Sequence, residues 1–217
     1  MARNKYPEET VNLILDTATR LFVQKGYERT SIQDIIDNLG GLSKGAIYHH
    51  FKSKEEILMA VTSKMSEESN KMLFEIRNDP DMTGKEKLKK LLEDSVNRPV
   101  HDEIFSAAPN IKSSPALVSS ILMETVETVA PEYVLPIIKQ GIADGSIQTE
   151  YPEELAELIM LVGNVWLDPM VFDDDPEKIY RKCVMYDKML RGFGLDIIDE
   201  SMFERFRSLT EMYCKNK

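Results

Sequence analysis

The 217 residues, 42% of them hydrophobic, have the makeup of an ordinary globular protein, with room for one large domain or two modest ones. Cys183 and Cys214 are too few for a disulfide framework and form no metal-ligand spacing, and the longest nearly apolar run, 158–167, is too short to span a bilayer; with no secretion signal visible, a soluble, cytoplasmic chain is expected. The net charge of −10 argues against a nucleic-acid partner until its distribution is read: residues 1–60 carry eight Lys or Arg against eight Asp or Glu, so the acidic excess lies entirely beyond them.

Leu, Met, Glu, Lys and Ile recur at three-to-four spacing without alternating Val and Ile runs, which predicts an all-α chain. In the first helix Pro7 suits the opening turn and Glu8 and Glu9 its positive end, while Val11, Ile14, Leu15, Ala18, Leu21 and Phe22 share one face until Gly26. Either hydroxyl of Thr30-Ser31 can cap a second helix, and Ser31 with Asp34 has the spacing of a capping box. Gly40-Gly41 stops that helix in a left-handed turn. Ser43 caps a third, with Ala46, Ile47, His50 and Phe51 on one side and Lys44, Gly45, Tyr48 and His49 on the other or at its N-terminal end. Two short helices about a Gly-Gly turn form a helix-turn-helix. From Asn38 to Lys54 there is no acidic residue, so this stretch offers a phosphate backbone an acid-free face. Ser53 with Glu56 starts a fourth helix through Ile57, Leu58, Val61 and Met65.

Beyond residue 78, Pro80, Gly84, Pro99, Pro109, Pro115, Pro131 and Pro136 predict a bent helical bundle. Ser114-Pro115 reads as cap and first helical residue. Pro131 reads likewise, as the start of a helix to Ala143 that Pro136 kinks and Gly145 closes. Two longer helices follow, about 152–167 and 176–191, separated by Asp168-Pro169 and by Asp173 to Asp175, which read as a solvated linker with Asp175 capping the helix at Pro176. Leu155, Leu158, Ile159, Leu161, Val162, Val165 and Trp166 form an apolar band wider than one core contact needs, and Ile179, Cys183, Tyr186, Met189, Leu190 and Phe193 form a second. A last helix starts at Ser201, capped with Glu204.

The block SKGAIYHHFKSKEEIL, with the Ala18, Leu21, Phe22, Gly26 and Tyr27 pattern before it, resembles the DNA-binding region of the TetR/AcrR family of transcriptional regulators over about residues 7–65. The chain is one residue longer than the commonest family pattern between Ile36 and Ser43. The resemblance implies an N-terminal three-helix domain with a helix-turn-helix, 7–65, and a larger C-terminal helical ligand-binding and dimerisation domain, 66–217. It implies a homodimer paired through helices 152–167 and 176–191. It also implies operator DNA as partner and a small-molecule effector that releases a repressor from that operator, with no cofactor and no enzymatic activity.

Chemistry gives the same residues roles. Ser43, Lys44 and Gly45 present a hydroxyl, backbone amides and a positive helix end to phosphates. Gly45 and Ala46 leave room for close approach, and the Ala46 methyl suits a thymine methyl. Tyr48 and His49, as in the resembled family, contact phosphates; Lys52 and Lys54 add charge, and Thr30 and Ser31 complete the DNA-binding set.

Competing readings are weaker. His49 and His50 are adjacent and point apart, and His101 lies in the other domain, so no metal site is expected. The Glu-x-x-His pairs of a carboxylate-metal oxidase are absent. The alternative is a helical ligand-binding or interaction protein with a non-functional helix-turn-helix, against which intact Ser43, Gly45, Tyr48 and Lys54 argue. Met72, Met82, Met123, Met160 and Met170 suit either an adaptable pocket or core filling. The resemblance implies a pocket between the helices of 85–167, with Phe105, Tyr133 and Trp166 as candidate lining.

Overall fold

The computed structural model describes residues 7–41, 44–99, 101, 102, 105, 115–172 and 174–216. The chain divides into two compact units, Met1–Glu67 and Glu68–Lys217, and the described residues contain helices and no strand.

In the first unit α1 (Pro7–Lys25), α2 (Ile32–Asp37) and α3 (Lys44–His50) precede the opening turns of α4 (Lys54–Asn78). The predicted stripe of α1 is the core stripe: Ile14, Leu15, Ala18, Leu21 and Phe22 are buried together with Ile35, Ile47 and Ile57 from the other three helices. Of the two candidate capping hydroxyls, Ser31 caps α2. Its Oγ accepts from the Asp34 N–H at 3.0 Å, and the Asp34 carboxylate accepts from the Ser31 N–H at 2.8 Å. Ser31 and the Lys25 ammonium, 2.9 Å away, hold the Asp34 carboxyl well below the usual carboxylate range. A Ser31→Ala substitution is expected to destabilise the first unit by about 1 kcal/mol, read as a lower urea midpoint. The Asp34 contribution is present above the unfolded carboxyl pKa of about 3.9 and fades as pH falls below it, so the deficit of the variant should shrink in acid.

The second unit contains the rest of α4 and α5 (Gly84–Asn97). A continuous helical rod follows: α6 (Pro115–Glu124), a π-helical stretch π1 (Thr125–Val134) and α7 (Leu135–Asp144). The helix expected to start at Pro131 does not start there, because Pro131 lies inside π1. A proline ring clashes with the carbonyl four residues back in an α-helix; a wider turn relieves that clash, so the chain stays helical across it. Pro136 follows five residues later, at the start of α7, and so lies inside the same continuous rod. Gly145, at φ 79°, ends the rod.

Next come α8 (Pro152–Leu161), a short π turn π2 (Val162–Trp166), α9 (Pro169–Phe172), α10 (Pro176–Gly192) and α11 (Glu200–Asn216). Asp175 caps α10 as expected, accepting from the Lys178 N–H at 2.7 Å. The last helix begins one residue earlier than Ser201, and the capping carboxylate is Asp199, which accepts from the Met202 N–H and from the Ser201 hydroxyl. An anionic acceptor ahead of the helix takes the place assigned to the Ser201–Glu204 pair.

The core of this unit joins Leu88, Val134, Ile137, Ile138, Ile159 and Leu190. Most of the second apolar band is spent inside it: Ile179, Cys183, Tyr186 and Leu190 are buried within the single chain, and the Tyr186 hydroxyl donates to the Ile159 carbonyl at 2.9 Å. Half-buried Leu158, Leu161, Val165 and Val184 and exposed Met185 remain at its surface. The α5 and α7 backbones cross at Gly84 and Gly141, so closely that a methyl carbon on Gly84 would lie 2.3 Å from the Gly141 nitrogen. No helix among the described residues is long and apolar enough to cross a membrane.

Candidate nucleic-acid interface and ligand cavity

Helix α3 is anchored from one side. Ile47 is fully buried and Phe51, just past the helix end, is buried too, which turns Lys44, Gly45, Tyr48 and His49 outward. Ala46 is half-buried beside them. The Lys44 ammonium stands 5.8 Å from the centre of the Tyr48 ring, so charge and phenol act on the same patch. The turn leading to this helix contains Gly40 at φ 61° and Gly41 at φ 117°, backbone states that other residues resist. Ser43, the expected cap, lies outside the described residues. His49 and His50 do not point apart: their rings meet edge to face at 5.2 Å.

Two predicted contact residues are engaged by the protein itself. Thr30 is buried, and its hydroxyl faces the carbonyls of Gly26 at 2.8 Å and Leu21 at 3.2 Å, where it ties the end of α1 to the start of α2. Lys54 donates to the Tyr27 carbonyl at 2.9 Å and rests 4.1 Å from the centre of the Tyr27 ring. Burial, reinforced by Glu55, pushes the Tyr27 phenol up to about 12. Lys52 is exposed, and its N–H donates to the Glu56 carboxylate at 2.7 Å while Ser53 Oγ accepts from the Glu56 N–H at 3.1 Å, a capping arrangement that opens α4. The structure therefore gathers Lys44, Gly45, Tyr48 and His49 on one exposed face of α3, with Lys52 just beyond the helix, and assigns Thr30 and Lys54 to its support.

The second unit holds a cavity of about 50 Å³. Leu91, Leu92 and Ser95 of α5 form one wall, and Met160, Gly163 and Asn164 of α8 and π2 face them; Met202 and Phe206 of α11 contribute to the rest. None of the three aromatic residues proposed from sequence lines it. Tyr133 stacks on the Arg77 guanidinium, 5.6 Å from its ring, and Phe105 packs beside Met170 and Tyr213. Trp166 lies 5.0 Å from the Lys182 ammonium, whose donation to the Trp166 carbonyl at 2.7 Å holds it there.

Lys182 is itself buried and, with Lys178, pairs with the buried carboxylate of Asp174. The 173–175 segment is thus not a solvated linker at Asp174, because two lysines one turn apart on α10 reach back to it. These cations hold the Asp174 carboxyl below its usual range against the cost of burial. Burial instead pushes Asp168 up to about 6, despite a 2.8 Å hydrogen bond from the Met170 N–H. For an acid raised in the folded state, stability falls as pH rises from the unfolded value of about 3.9 to the folded one. An Asp168→Asn variant should therefore lose that pH dependence, which thermal melts across this window would show as a flatter profile than wild type.

Comparison with known proteins bears on the whole chain. The model "Bacterial regulatory proteins, tetR family" matches residues 14–61, and "Tetracyclin repressor-like, C-terminal domain" matches residues 94–189. The chain belongs to the TetR family. The uncharacterized HTH-type transcriptional regulator YhgD of Bacillus subtilis is 28% identical over 153 residues, 69% of this chain and 77% of that protein. The A-factor receptor protein of Streptomyces griseus is 36% identical over 80 residues, 37% of this chain and 28% of that protein. Among the curated relatives that match over shorter stretches, the match covers as little as 16% of the relative's length. A crystal structure of a TetR/AcrR-family transcriptional regulator from Thermobifida fusca shares the fold, with a TM-score of 0.59 at 22% identity over 95% of this chain and 97% of that one.

Three features of this TetR-family chain had no signal in its sequence. The Lys54–Tyr27 tie joins residues twenty-seven apart, the Asp174 cluster looked like surface charge, and the cavity walls come from segments more than a hundred residues apart, from Leu91 to Phe206.

Proposed function

We propose that this TetR-family chain is a cytoplasmic, ligand-responsive transcriptional regulator, and not an enzyme. It holds operator DNA through residues 7–65 and senses a small molecule through residues 66–217, acting as a repressor that the ligand releases. The observation that carries the reading is the exposed, acid-free face of α3, where Lys44, Gly45, Tyr48 and His49 stand together on a helix seated by Ile47. Amides and cations at the start of such a helix bind phosphates, small residues allow close approach to base edges, and few side chains here make bidentate base contacts, so DNA shape supplies part of the specificity.

The chain acts as a homodimer paired through 152–167 and 176–191, using the apolar residues that the core leaves outside: Leu158, Leu161 and Val165 along one helical line, and Val184 and Met185 on α10. Release follows from a ligand that binds better to the state with lower operator affinity, a coupling of about 1 to 3 kcal/mol. The test is a gel shift against DNA upstream of the chain's own gene at two salt concentrations, with sedimentation of the protein alone. Salt-sensitive, two-fold-symmetric protection by a dimer is the expected outcome. Absence of protection at any salt would leave a helical ligand-binding protein with a non-functional head, and a monomer at micromolar concentration would remove the pairing.

A further inference from the structure

The outward faces of α8 and α10 carry opposite charges. On α8, Glu154 and Glu157 are exposed around half-buried Leu158, Leu161 and Val165, and the sequence 152–166 contains no lysine or arginine. On α10 the outward face carries exposed Arg181 and Lys188 around half-buried Val184 and exposed Met185. Arg181 is paired with Glu177 at 3.4 Å, whereas Glu154, Glu157 and Lys188 have no ion pair among the described residues.

Three contacts fix how these charges stand relative to one another. The Tyr186 hydroxyl donates to the Ile159 carbonyl at 2.9 Å, the Lys182 ammonium donates to the Trp166 carbonyl at 2.7 Å, and Gly192 and Phe193 share one groove with Leu155 and Leu158. Residue numbers rise along α8 as they fall along α10, so the two helices lie side by side and antiparallel. Glu157 precedes Ile159 by two residues and Lys188 follows Tyr186 by two, which at about 1.5 Å per residue puts both about 3 Å to the same side of that hydrogen bond. Leu161 and Val184 lie as far to the other side. Acid and base are therefore about level on neighbouring helices, and so are the two apolar residues.

A face of this kind can meet a second copy of itself in two ways. With the two-fold axis running along the helices, heights are kept and each helix lies on the other helix of its partner. Glu157 then meets Lys188 of the partner subunit, the reverse pair forms across the axis, and Leu161 meets the partner's Val184. With the axis running across the helices, each helix lies on its own copy. Acidic α8 is then pressed against acidic α8, and Lys188 loses water without gaining a counter-charge. Charge complementarity selects the first arrangement.

From this pattern we infer that a second copy of the chain is recognised by reciprocal Glu157–Lys188 pairs about a two-fold axis that runs along α8 and α10. The inference rests on the homodimer proposed above and names what tells a proper partner from a wrong one. An exposed ion pair adds little affinity, but like charges brought together at an interface are strongly penalised, so these pairs act on the choice of partner more than on the strength of pairing. A related chain carrying the same sign at both positions would be refused.

Sedimentation equilibrium of the full chain at micromolar concentration tests this with Lys188→Glu, Glu157→Lys, an equimolar mixture of the two variants, and one chain carrying both substitutions. Each single variant turns both reciprocal pairs repulsive and should raise the dimer dissociation constant at least about a hundredfold. In the mixture every Glu again faces a Lys, so a heterodimer with close to wild-type affinity is expected, and the doubly substituted chain should recover the homodimer. Single variants that pair as tightly as wild type, or a mixture no tighter than its components, overturn the inference. If a single variant does not fold, the doubly substituted chain decides: a dimer upholds the pairing and a monomer overturns it. A wild-type dimer indifferent to these reversals defeats this inference alone, whereas a wild-type monomer removes the homodimer reading together with it.

Discussion

Gly84→Ala is expected to lower the stability of the second unit by about 3 kcal/mol or more. The added carbon would stand 2.3 Å from the Gly141 nitrogen, 2.4 Å from its Cα and 2.6 Å from the Ile137 carbonyl oxygen. All three atoms are backbone, so no rotamer change relieves the overlap and α5 must move away from α7. That movement would also break the hydrogen bonds that seat the first turn of α5, from the Gly84 N–H to the Asp144 carboxylate at 2.9 Å and from the Lys85 N–H to Ser146 Oγ at 3.1 Å. Buried Lys87, which donates to the Arg77 carbonyl at 2.7 Å and to Gln140 at 2.6 Å, would lose its register as well. Gly141→Ala should do less damage, because its Cβ meets the Ile147 side chain, whose outer atoms at 2.5 and 2.6 Å can shift. Urea unfolding followed by Trp166 fluorescence measures both. A Gly84→Ala midpoint equal to wild type would mean that the two helices are not in this close contact.

The second large effect concerns DNA. Lys44→Ala and Tyr48→Ala are each expected to reduce operator affinity about tenfold, with the lysine change also lowering the dependence of log affinity on log salt by about one unit. Neither should alter the melting temperature, since both side chains are exposed and Ile47 and Phe51 continue to seat α3. Lys54→Ala should behave differently. Its ammonium is bonded to the Tyr27 carbonyl and rests on the Tyr27 ring, so removing it should lower the melting temperature of the first unit together with DNA affinity. Gel shifts at several salt concentrations, paired with thermal melts, separate the two classes. If Lys44→Ala and Tyr48→Ala bind operator as tightly as wild type, α3 is not the reading element.

These predictions show which parts of the molecule were legible in the sequence. The α1 stripe, the Ser31 capping box, the Gly40-Gly41 turn and the Asp175 cap were all readable, because each depends on residues within about one or two helical turns of each other. The same local reading failed at Pro131, where a breaker residue is accommodated by a change of winding that leaves no mark in hydrophobic spacing. It did not separate the two hydroxyls of Thr30-Ser31, because a hydroxyl suited to capping is equally suited to bonding the carbonyls that close the preceding helix. The α3 face was visible as an acid-free run, yet which of its cations stay free was not, since the partner of Lys54 is fixed only when Tyr27 folds against it. The cavity described above is not lined by Phe105, Tyr133 or Trp166: Trp166 is drawn to Lys182, and the walls include α11, outside the 85–167 span considered.

The Lys182 ammonium, held 5.0 Å from the indole of a chain that has one tryptophan, has an optical consequence. A fixed positive charge beside an indole displaces its excited-state dipole energy, so the colour of the emitted light depends on where that charge sits. Any rearrangement that separates α10 from the π2 turn would move the emission maximum without a dye or a label, and the protein therefore reports on the state of its own interior.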